Sequence, residues 1–549
     1  MIRHIKRATR FLIFWSLIVF ALSLTAVRLF LVSADHYKAE LSVRVSELIG
    51  APVEIGHLRA NMRGYSPELV LKDFKILSAV ANESPSIQFK EIRLGINLVD
   101  FLMTGDQFAS SWVTLVGAKL TIKRKQDGSI AIVGLKGGDE KPFWLLQGSQ
   151  YEVLQSEVSW LDELNQIKPV TIGEVNVAII NKSQQHQINV QLKLPDAYGE
   201  ELRASMKFKG NFFEALSING SVFIEGKKIK PTEWISGHLH FPVSISSGSA
   251  DFKCWGELHQ SRLDSIVGDV QIQQLTLTKP DKESFFVQHL NTQFHWSQND
   301  SQWRLQVPQM LLETADMKWP ATAFSVFGEQ AKDDKLHKLG LYIDTLDLQK
   351  AAYWVDFLVP LSGDQRLLLK QSQLKGSLEQ LSLFADLDEN HFAINGGFSH
   401  INVAPSQVVP GIENLTGYLK GTDQQGQITL ATQAARLLTV GVFRQALDIT
   451  KLKGTVDWQQ TPDEYLFSSE LLTLNSPDLG TDTRFNLRVP KAQGQPSFLD
   501  LQSGFSIADV SKATRYLPVN TMRKSVVEWL DRGLVRDVFQ KEIFYFTEI

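Results

Sequence analysis

The sequence is almost free of cysteine, since Cys254 is the only one in 549 residues. A single thiol cannot form an intrachain disulfide, so no part of the chain is cross-linked to another. Stability must therefore come from backbone hydrogen bonds and from the burial of apolar side chains.

Signatures of enzymes and of metal sites are also absent. We find no nucleophile elbow, zinc-protease helix, P-loop or dinucleotide glycine fingerprint. Residues 386–390 start like a calcium loop, but His391 and Gly397 stand where such a loop needs glycine and glutamate. His238 and His240 alternate on one predicted strand without a third ligand nearby. We predict that the chain is not an enzyme and holds no cofactor. A catalytic pair of carboxylates that the fold brings together from distant parts of the sequence stays an open alternative.

The chain lacks a basic stripe as well. Its formal charge is −4, and residues 1–34 carry five positive charges and no negative one, which leaves −9 for the rest. An acidic body of this kind argues against nucleic acid as a partner.

The chain does contain one long apolar segment, residues 11–32, in which Arg28 is the only charged residue. As a helix it would reach about 33 Å, enough for a bilayer core of roughly 30 Å. The basic residues before it predict that residues 1–10 lie in the cytoplasm and that the body is exported. A cleaved signal peptide ending near Ala34 and a buried core helix are the alternatives. Residues 33–50 then predict a short amphipathic exit helix, which either caps the first strands or lies in the membrane interface.

From Val53 onward the apolar residues alternate with period two. Leu120 and Ile122, then a turn at Asp127-Gly128, then Ile130 and Ile132 predict a β-hairpin. The same alternation predicts strands through Ile188, Val190, Leu192 and Leu194, through Met206 and Phe208, and through residues 270–277, 285–296, 303–307, 426–430, 447–458 and 484–489.

Helix-start sequences with aromatic residues recur at residues 228–235, 343–354 and 505–518, each after strand-like sequence. Convergent use of common turn residues would produce the same pattern. The whole predicts a mainly β protein: an N-terminal transmembrane helix followed by a long, curled antiparallel β-sheet groove with short decorating helices.

The apolar strand faces have two interpretations. A half-apolar strand is ordinarily packed in a core. The functional alternative is an open trough for acyl chains, because each buried CH₂ contributes about 0.8 kcal/mol. We take ten residues as candidate lipid-binding positions: Leu120, Ile122, Ile130, Ile132, Ile188, Val190, Leu192, Leu194, Met206 and Phe208. Periodicity alone does not separate trough from core.

The opening of the chain, with Pro52-Val53-Glu54-Ile55-Gly56, residues 67–74 and the hairpin at 118–128, resembles AsmA-like proteins. The aromatic helix units and the segment from Tyr516 to Leu530 resemble the YhdP branch of that family. The resemblance implies a periplasmic protein of Gram-negative bacteria, anchored in the inner membrane. It also implies a β-groove that carries phospholipid toward the outer membrane and supports its barrier, with outer-membrane or periplasmic proteins as further partners.

On this basis we expect an AsmA-like β region at 51–235 and groove segments at 236–355 and 356–530. YhdP-like chains are more than twice this long, and residues 531–549 look atypical from Asp537 onward, which a frameshift would explain. The alternative function is a scaffold or chaperone for outer-membrane protein assembly, which would accept client strands at exposed sheet edges.

Overall fold

The structure of the chain is a computed structural model. It describes residues 9–22, 25, 34–49, 51–64, 66–77, 87–133, 146–165, 167–211, 214, 216–235, 243–279, 283–315, 317–330, 335–358, 361–405, 410–438, 443–492, 495–517, 519, 522–533, 538–539 and 542–547.

Strands dominate, as the alternation predicted. They are β1 (Val53–Arg63), β2 (Ser66–Ile76), β3 (Ile87–Ile96), β4 (Ser111–Val116), β5 (Lys119–Arg124), β6 (Ile130–Ile132), β7 (Gln150–Asp162), β8 (Ile167–Lys182), β9 (Gln185–Lys193), β10 (Glu201–Lys209), β11 (Asn219–Ile229), β12 (Ser244–His259), β13 (Arg262–Thr278), β14 (Ser284–Gln298), β15 (Gln302–Thr314), β16 (Thr322–Gln330), β17 (Leu336–Asp347), β18 (Lys375–Asp386), β19 (His391–Val403), β20 (Gly411–Thr422), β21 (Gln425–Leu438), β22 (Leu447–Gln460), β23 (Glu464–Asn475), β24 (Leu479–Pro490), β25 (Phe498–Asp509), β26 (Val538–Phe539) and β27 (Glu542–Thr547).

Helices are short and few among the described residues. Besides the helical residues 9–22, they are α1 (Lys38–Ile49), α2 (Leu98–Thr104), α3 (Pro231–Ile235), α4 (Leu348–Leu358), α5 (Gly363–Ser372) and α6 (Lys524–Gly533), with 3₁₀ helices at Ala34–Tyr37 and Val510–Tyr516.

The chain divides into two compact units. Unit 1 comprises Met1–Leu239 and Ile245–Gln274, and unit 2 comprises His240–Ser244 and Leu275–Ile549. The finer division that we expected at residues 355 and 356 stays a prediction.

The predicted strands and the first hairpin are confirmed. β5 pairs with β6 across the Asp127-Gly128 turn, and the further predicted strands lie within observed ones, except that Leu194 follows the last residue of β9. The candidate calcium loop is the turn between β18 and β19, where the amides of Asp388 and Glu389 donate to Asp386 Oδ1. His238 and His240 lie outside the described residues.

The expectation of an antiparallel sheet is wrong in unit 1, where the sheet is mixed. β4 and β5 both pair with β7 in parallel. A parallel pair needs a connection that returns to the starting end of the sheet, and period-two alternation carries no signal for it. In unit 2 the described pairs from β14 to β27 are antiparallel.

The apolar segment at the start of the chain is helical over residues 9–22. Its large apolar side chains are exposed, for example Leu12 at 71% and Phe11 at 66%. Within the described part of the chain, no helix has both the length and the apolar character needed to cross a membrane.

Helix α1 confirms the predicted exit helix and covers the free edge of β1. Three hydrogen bonds join α1 to β1, from Lys38 Nζ to the Gly56 carbonyl (3.0 Å), from Ser42 Oγ to the Val53 carbonyl (2.6 Å) and from the Val53 amide to Ser46 Oγ (2.9 Å). A fourth runs from the Leu58 amide to Asp35 Oδ1 (3.0 Å) in the 3₁₀ helix that precedes α1. Leu41 and Val45 pack against the core cluster of β1 to β3. An open strand edge is a template for unwanted pairing, and here its polar groups are occupied.

The predicted aromatic units are confirmed as helices that follow strands, and aromatic side chains attach them to the sheet. Trp234 of α3 donates from Nε1 to the Tyr198 carbonyl at 3.0 Å. The Trp354 and Phe357 rings of α4 lie 4.4 and 5.4 Å from the buried Phe285 ring.

Bulges bend the strands within each unit. Gln155 and Glu174 in unit 1, and Gln380, His400 and Asn414 in unit 2, have φ between +49° and +64° at register shifts. A bulge bends its strand and increases the local twist. Neighbouring side chains satisfy the freed amides: Asn176 Oδ1 accepts from Gln155 N, and Asn402 Oδ1 accepts from Asn414 N.

Aromatic rings lie across glycines on the neighbouring strand. Six directly opposed pairs of this kind occur among the described residues: Gly95/Trp112, Gly226/Phe252, Gly328/Trp303, Gly340/Phe327, Gly417/Phe398 and Gly426/Trp458. A Cβ at Gly95 would lie 2.0 Å from Cζ2 of Trp112. Each ring thus covers the part of the sheet surface that the opposing glycine, which has no side chain, would leave exposed.

We expect Gly95→Ala to lower the stability of unit 1 by about 1–3 kcal/mol, because the methyl group displaces the Trp112 ring. Gly173→Ala is the matched control, since nothing lies within 4 Å of the position that its methyl group would take. Thermal unfolding followed by circular dichroism compares the two. Equal midpoints for both variants would contradict the close packing of Trp112 on Gly95.

Candidate functional site

The strand register of unit 1 aligns apolar residues into a continuous row, which we call row A. Directly opposed residues share a face of the sheet, so each partner extends the row by one strand. Row A consists of Leu58, Leu71, Ile92, Leu115, Val153, Val177, Val190, Ala204, Ile224 and Cys254.

A second apolar row, row B, lies two residues away on the same ten strands. It consists of Ala60, Leu69, Leu94, Val113, Tyr151, Ile179, Ile188, Met206, Val222 and Gly256. The residues between the two rows point to the opposite face, and most of them are polar. They are Arg59, Val70, Arg93, Thr114, Glu152, Ala178, Asn189, Ser205, Phe223 and Trp255.

Unit 2 has its own apolar row, row C, across β14 to β25. It consists of Trp296, Leu305, Val326, Leu341, Leu383, Ile394, Gly421, Gly426, Trp458, Phe467, Leu487 and Leu499. Its two glycines leave no gap, because a Cβ at Gly421 would lie 2.4 Å from Cζ2 of Trp458.

The residues that precede or follow row C form a polar row, row D, on the opposite face. It consists of His295, Gln306, Ser325, Tyr342, Ser382, Asn395, Lys420, Gln427, Asp457, Ser468, Asn486 and Asp500. No member of row D is aliphatic, so the two faces separate completely at this level of the sheet.

Burial along row A changes from one end to the other. Leu58 and Leu71 are buried in the core cluster against which α1 packs. From β3 onward the row is only half-buried, and Ile224 is 36% exposed. Row A is therefore core at one end and accessible apolar surface over the rest.

The rows run across the strands and are long. At roughly 4.8 Å per strand, row A extends about 43 Å and row C about 53 Å along the sheet. Each is longer than one extended acyl chain. The only polar groups that their side chains carry are the thiol of Cys254 and the indole N–H groups of Trp296 and Trp458.

A cavity of about 1090 Å³ lies in unit 2. Its lining includes ten consecutive members of row D, from Ser325 to Asp500. It also includes eight members of row C: Leu341, Leu383, Ile394, Gly421, Gly426, Trp458, Phe467 and Leu487. The cavity is therefore bordered by residues of row C as well as of row D.

The chain is similar in sequence to proteins of a known family. The family model described as YhdP protein matches residues 1–545. The chain belongs to the YhdP family.

One relative is the intermembrane phospholipid transporter YhdP of Escherichia coli (strain K12), 21% identical over 531 residues. The match covers 94% of this chain and 41% of the relative, so the chain spans less than half of that protein's length. No solved structure matches the chain. The family match continues past Asp537, where we expected the likeness to end.

The structure distributes the ten predicted lipid-binding residues of this YhdP-family chain over three environments. Val190 is in row A, Ile188 and Met206 are in row B, and Leu192 lies on the same face opposite Leu202. Leu194 and Phe208 are buried, at 6% and 3% exposed, and are positions of the core.

The four remaining candidates lie on β5 and β6. Leu120 packs against the core cluster of β1 to β3. Ile122 opposes Ile132, while Ile130 and Ile132 are 67% and 37% exposed. The members of rows A and B on the other strands, and all of row C, were missed, because alternation identifies a strand face but not which strand lies beside it.

An ion network covers the polar face of β10 to β12. Glu201 accepts from Lys227 Nζ at 3.0 Å, from Gln191 Nε2 at 2.7 Å and from Arg203 Nε at 2.8 Å. The hydrogen bond from Lys227 is the main reason why the pKa of Glu201 falls to about 2. Arg203 and Lys253 also contact Glu225. Charge is thus held on the face opposite to row A.

Among the described residues, no cluster of three or more His, Cys, Asp and Glu could hold a metal ion.

We expect Glu201→Gln to destabilise the protein by about 0.5–1 kcal/mol at pH 7. The folded pKa lies below the ordinary value of 4.5, so the carboxylate stabilises the fold above that pH. The difference between wild type and variant should shrink as the pH falls from 4.5 through 2. Thermal unfolding across this range measures it, with Glu257→Gln on β12 as control. A difference in stability that does not depend on pH would contradict the conclusion that the ionised Glu201 carboxylate stabilises the fold.

Proposed function

We propose that this chain is an envelope lipid-transfer protein that moves phospholipid along the apolar rows A, B and C. The acyl chains would lie on these rows while the head group stays in water at the edge of the face. The observation that carries the proposal is the length of the rows without a charged interruption. Each exposed CH₂ costs about 0.8 kcal/mol, so an uninterrupted row spares a moving lipid repeated desolvation steps.

The family supports the same proposal. The E. coli relative is an intermembrane phospholipid transporter, and phospholipid is the substrate class that rows of this kind would accept. We propose no catalytic role for the chain.

We further propose that residues 11–32 anchor the chain in the inner membrane, with residues 1–10 in the cytoplasm and the body in the periplasm. The exposed apolar side chains of residues 9–22 support this placement, as does the basic flank. Transport toward the outer membrane would then support the barrier of that membrane, in concert with proteins at its far end.

A strand-accepting scaffold is the rival function, and one observation weakens it. Backbone groups at the edge of β1 already donate to Asp35 and Ser46 and accept from Lys38 and Ser42. A client strand would have to displace α1 to pair there.

Photo-crosslinking in intact cells tests the proposal. A benzophenone amino acid at Ile224, in row A, should crosslink to phospholipid, which mass spectrometry of the purified adduct identifies. The same group at Phe223 points to the opposite face and should give little lipid adduct. Polypeptide adducts at Ile224 would favour the scaffold, and equal lipid yields at both positions would reject row A as the track.

A charge on the row gives a second test. We expect Val190→Glu to abolish most lipid crosslinking at Ile224, because an ionised carboxylate in an acyl-chain surface is strongly unfavourable. Asn189→Glu, one residue away on the polar face, is the matched control and should leave it unchanged. Circular dichroism of both variants establishes that they fold. A folded Val190→Glu variant with undiminished crosslinking would contradict the proposal.

A further inference from the structure

The connection between β3 and β4 exposes the two least buried large apolar side chains of the described structure. We call residues 97–110, which include α2, the apolar loop. Met103 is 81% exposed and Leu102 is 76% exposed, and Phe108 and Val99 beside them are 60% and 54% exposed. Four such side chains within ten residues form a patch rather than scattered exposure.

Several polar groups of the apolar loop form hydrogen bonds within the loop. Asn97 Oδ1 accepts from the amides of Val99 and Asp100, at 3.1 and 3.3 Å, and begins α2. Gly105, with φ +68°, ends the helix and donates to the Phe101 carbonyl at 2.8 Å.

Polar groups after α2 also form hydrogen bonds within the loop. Asp106 Oδ1 accepts from the amides of Phe108 and Ala109, at 2.9 and 3.0 Å, and Asp100 Oδ2 accepts from Asn97 Nδ2 at 2.6 Å. Backbone groups that are already paired can enter an apolar medium without the cost of an orphaned hydrogen bond.

The loop also lies at a definite end of unit 1. It follows Ile96, at the end of the sheet where β1 finishes at Arg63. Asp35 contacts Leu58, in the middle of β1, and α1 runs from there toward Val53, away from the loop.

Chain length brings a membrane surface within reach of this end. The charge-free apolar sequence ends at Val27, and residues 28–34 can span at most about 24 Å. Arg63 lies about 17 Å beyond Leu58 at 3.3 Å per residue. A membrane that holds residues 11–27 can therefore lie level with the apolar loop.

We propose that the apolar loop inserts Leu102, Met103 and Phe108 into the outer interface of the same membrane as a second contact. The inference rests on the proposed anchor at residues 11–32, with its charge-free residues 11–27 in the bilayer core and the residues from Arg28 onward at the outer surface. A lipid surface fits better than a protein partner, because protein interfaces pair polar groups around an apolar centre, and the carboxylates of this loop are already engaged with its own donors. The contact holds the open rows of unit 1 at a fixed orientation to the bilayer from which lipid is drawn.

The test uses the full chain reconstituted in vesicles of phosphatidylethanolamine with a minority of phosphatidylglycerol. In a Cys254→Ser background, Met103→Cys carries a polarity-sensitive fluorophore. We expect a blue-shifted emission, loss of most of the fluorescence when the lipids carry a doxyl quencher, and protection from aqueous iodide. Leu164→Cys is the matched control: Leu164 is 42% exposed in the turn between β7 and β8, at the other end of the sheet. Its label should be quenched by iodide and not by the lipid.

The outcomes separate the loop from the anchor and from the transport function. A chain that floats with the vesicles while iodide quenches the Met103→Cys label overturns the loop contact and leaves the anchor intact. Protection from both quenchers indicates a protein contact and also overturns it. A chain that does not float overturns both. Lipid quenching at the loop without any lipid adduct at Ile224 leaves this inference standing while the transport proposal fails.

A second variant guards against a misleading label. With the fluorophore at Phe108→Cys, the double substitution Leu102→Asp and Met103→Asp should remove the lipid quenching while the chain still floats and its circular dichroism is unchanged. Unaltered quenching in that variant would overturn the proposal.

Discussion

The strand register is the constraint on which the rest of this structure depends. Side chains alternate with period two, so a slip of one residue between two strands would exchange the faces of everything beyond it. Nine successive pairings place the ten members of row A on one face, and eleven do the same for row C. The bulges bend the strands, but they do not move any member of these rows to the opposite face. An uninterrupted apolar face is therefore a property of the whole ladder and of no single strand.

Two packing devices keep that face continuous and prevent it from pairing elsewhere. Where row C contains Gly421 and Gly426, the ring of Trp458 covers both positions. At the first edge, α1 supplies hydrogen bonds to the free groups of β1, so unit 1 is closed at β1 and the core cluster is complete there. Row A then emerges from this core as accessible surface. The proposed lipid track thus has one end closed against the core and an accessible length beyond it.

The two faces of the sheet differ in chemical character, with charged groups on one and apolar rows on the other. Ion pairs such as Lys227 with Glu201 keep charge on the polar face, where water screens it and where it does not oppose an acyl chain. The cavity of unit 2 is bordered by residues of both faces, and eight of the twelve members of row C line it. For an elongated ligand the surface that matters is the one that continues from strand to strand.

The sequence by itself determined the mainly β class, the strands, the exit helix and the strand-to-helix units, because alternation and helix-start residues are local signals. It also marked Ile188, Val190, Leu192 and Met206 as one apolar face. Only the tertiary structure decided that Leu194, Phe208 and Leu120 belong to the core, that β4 and β5 run parallel to β7, and that Leu115 or Ile224 extends the face of Val190. Those facts depend on which strands become neighbours, and hydrogen bonds between strands far apart in sequence leave no trace in the local pattern of either one.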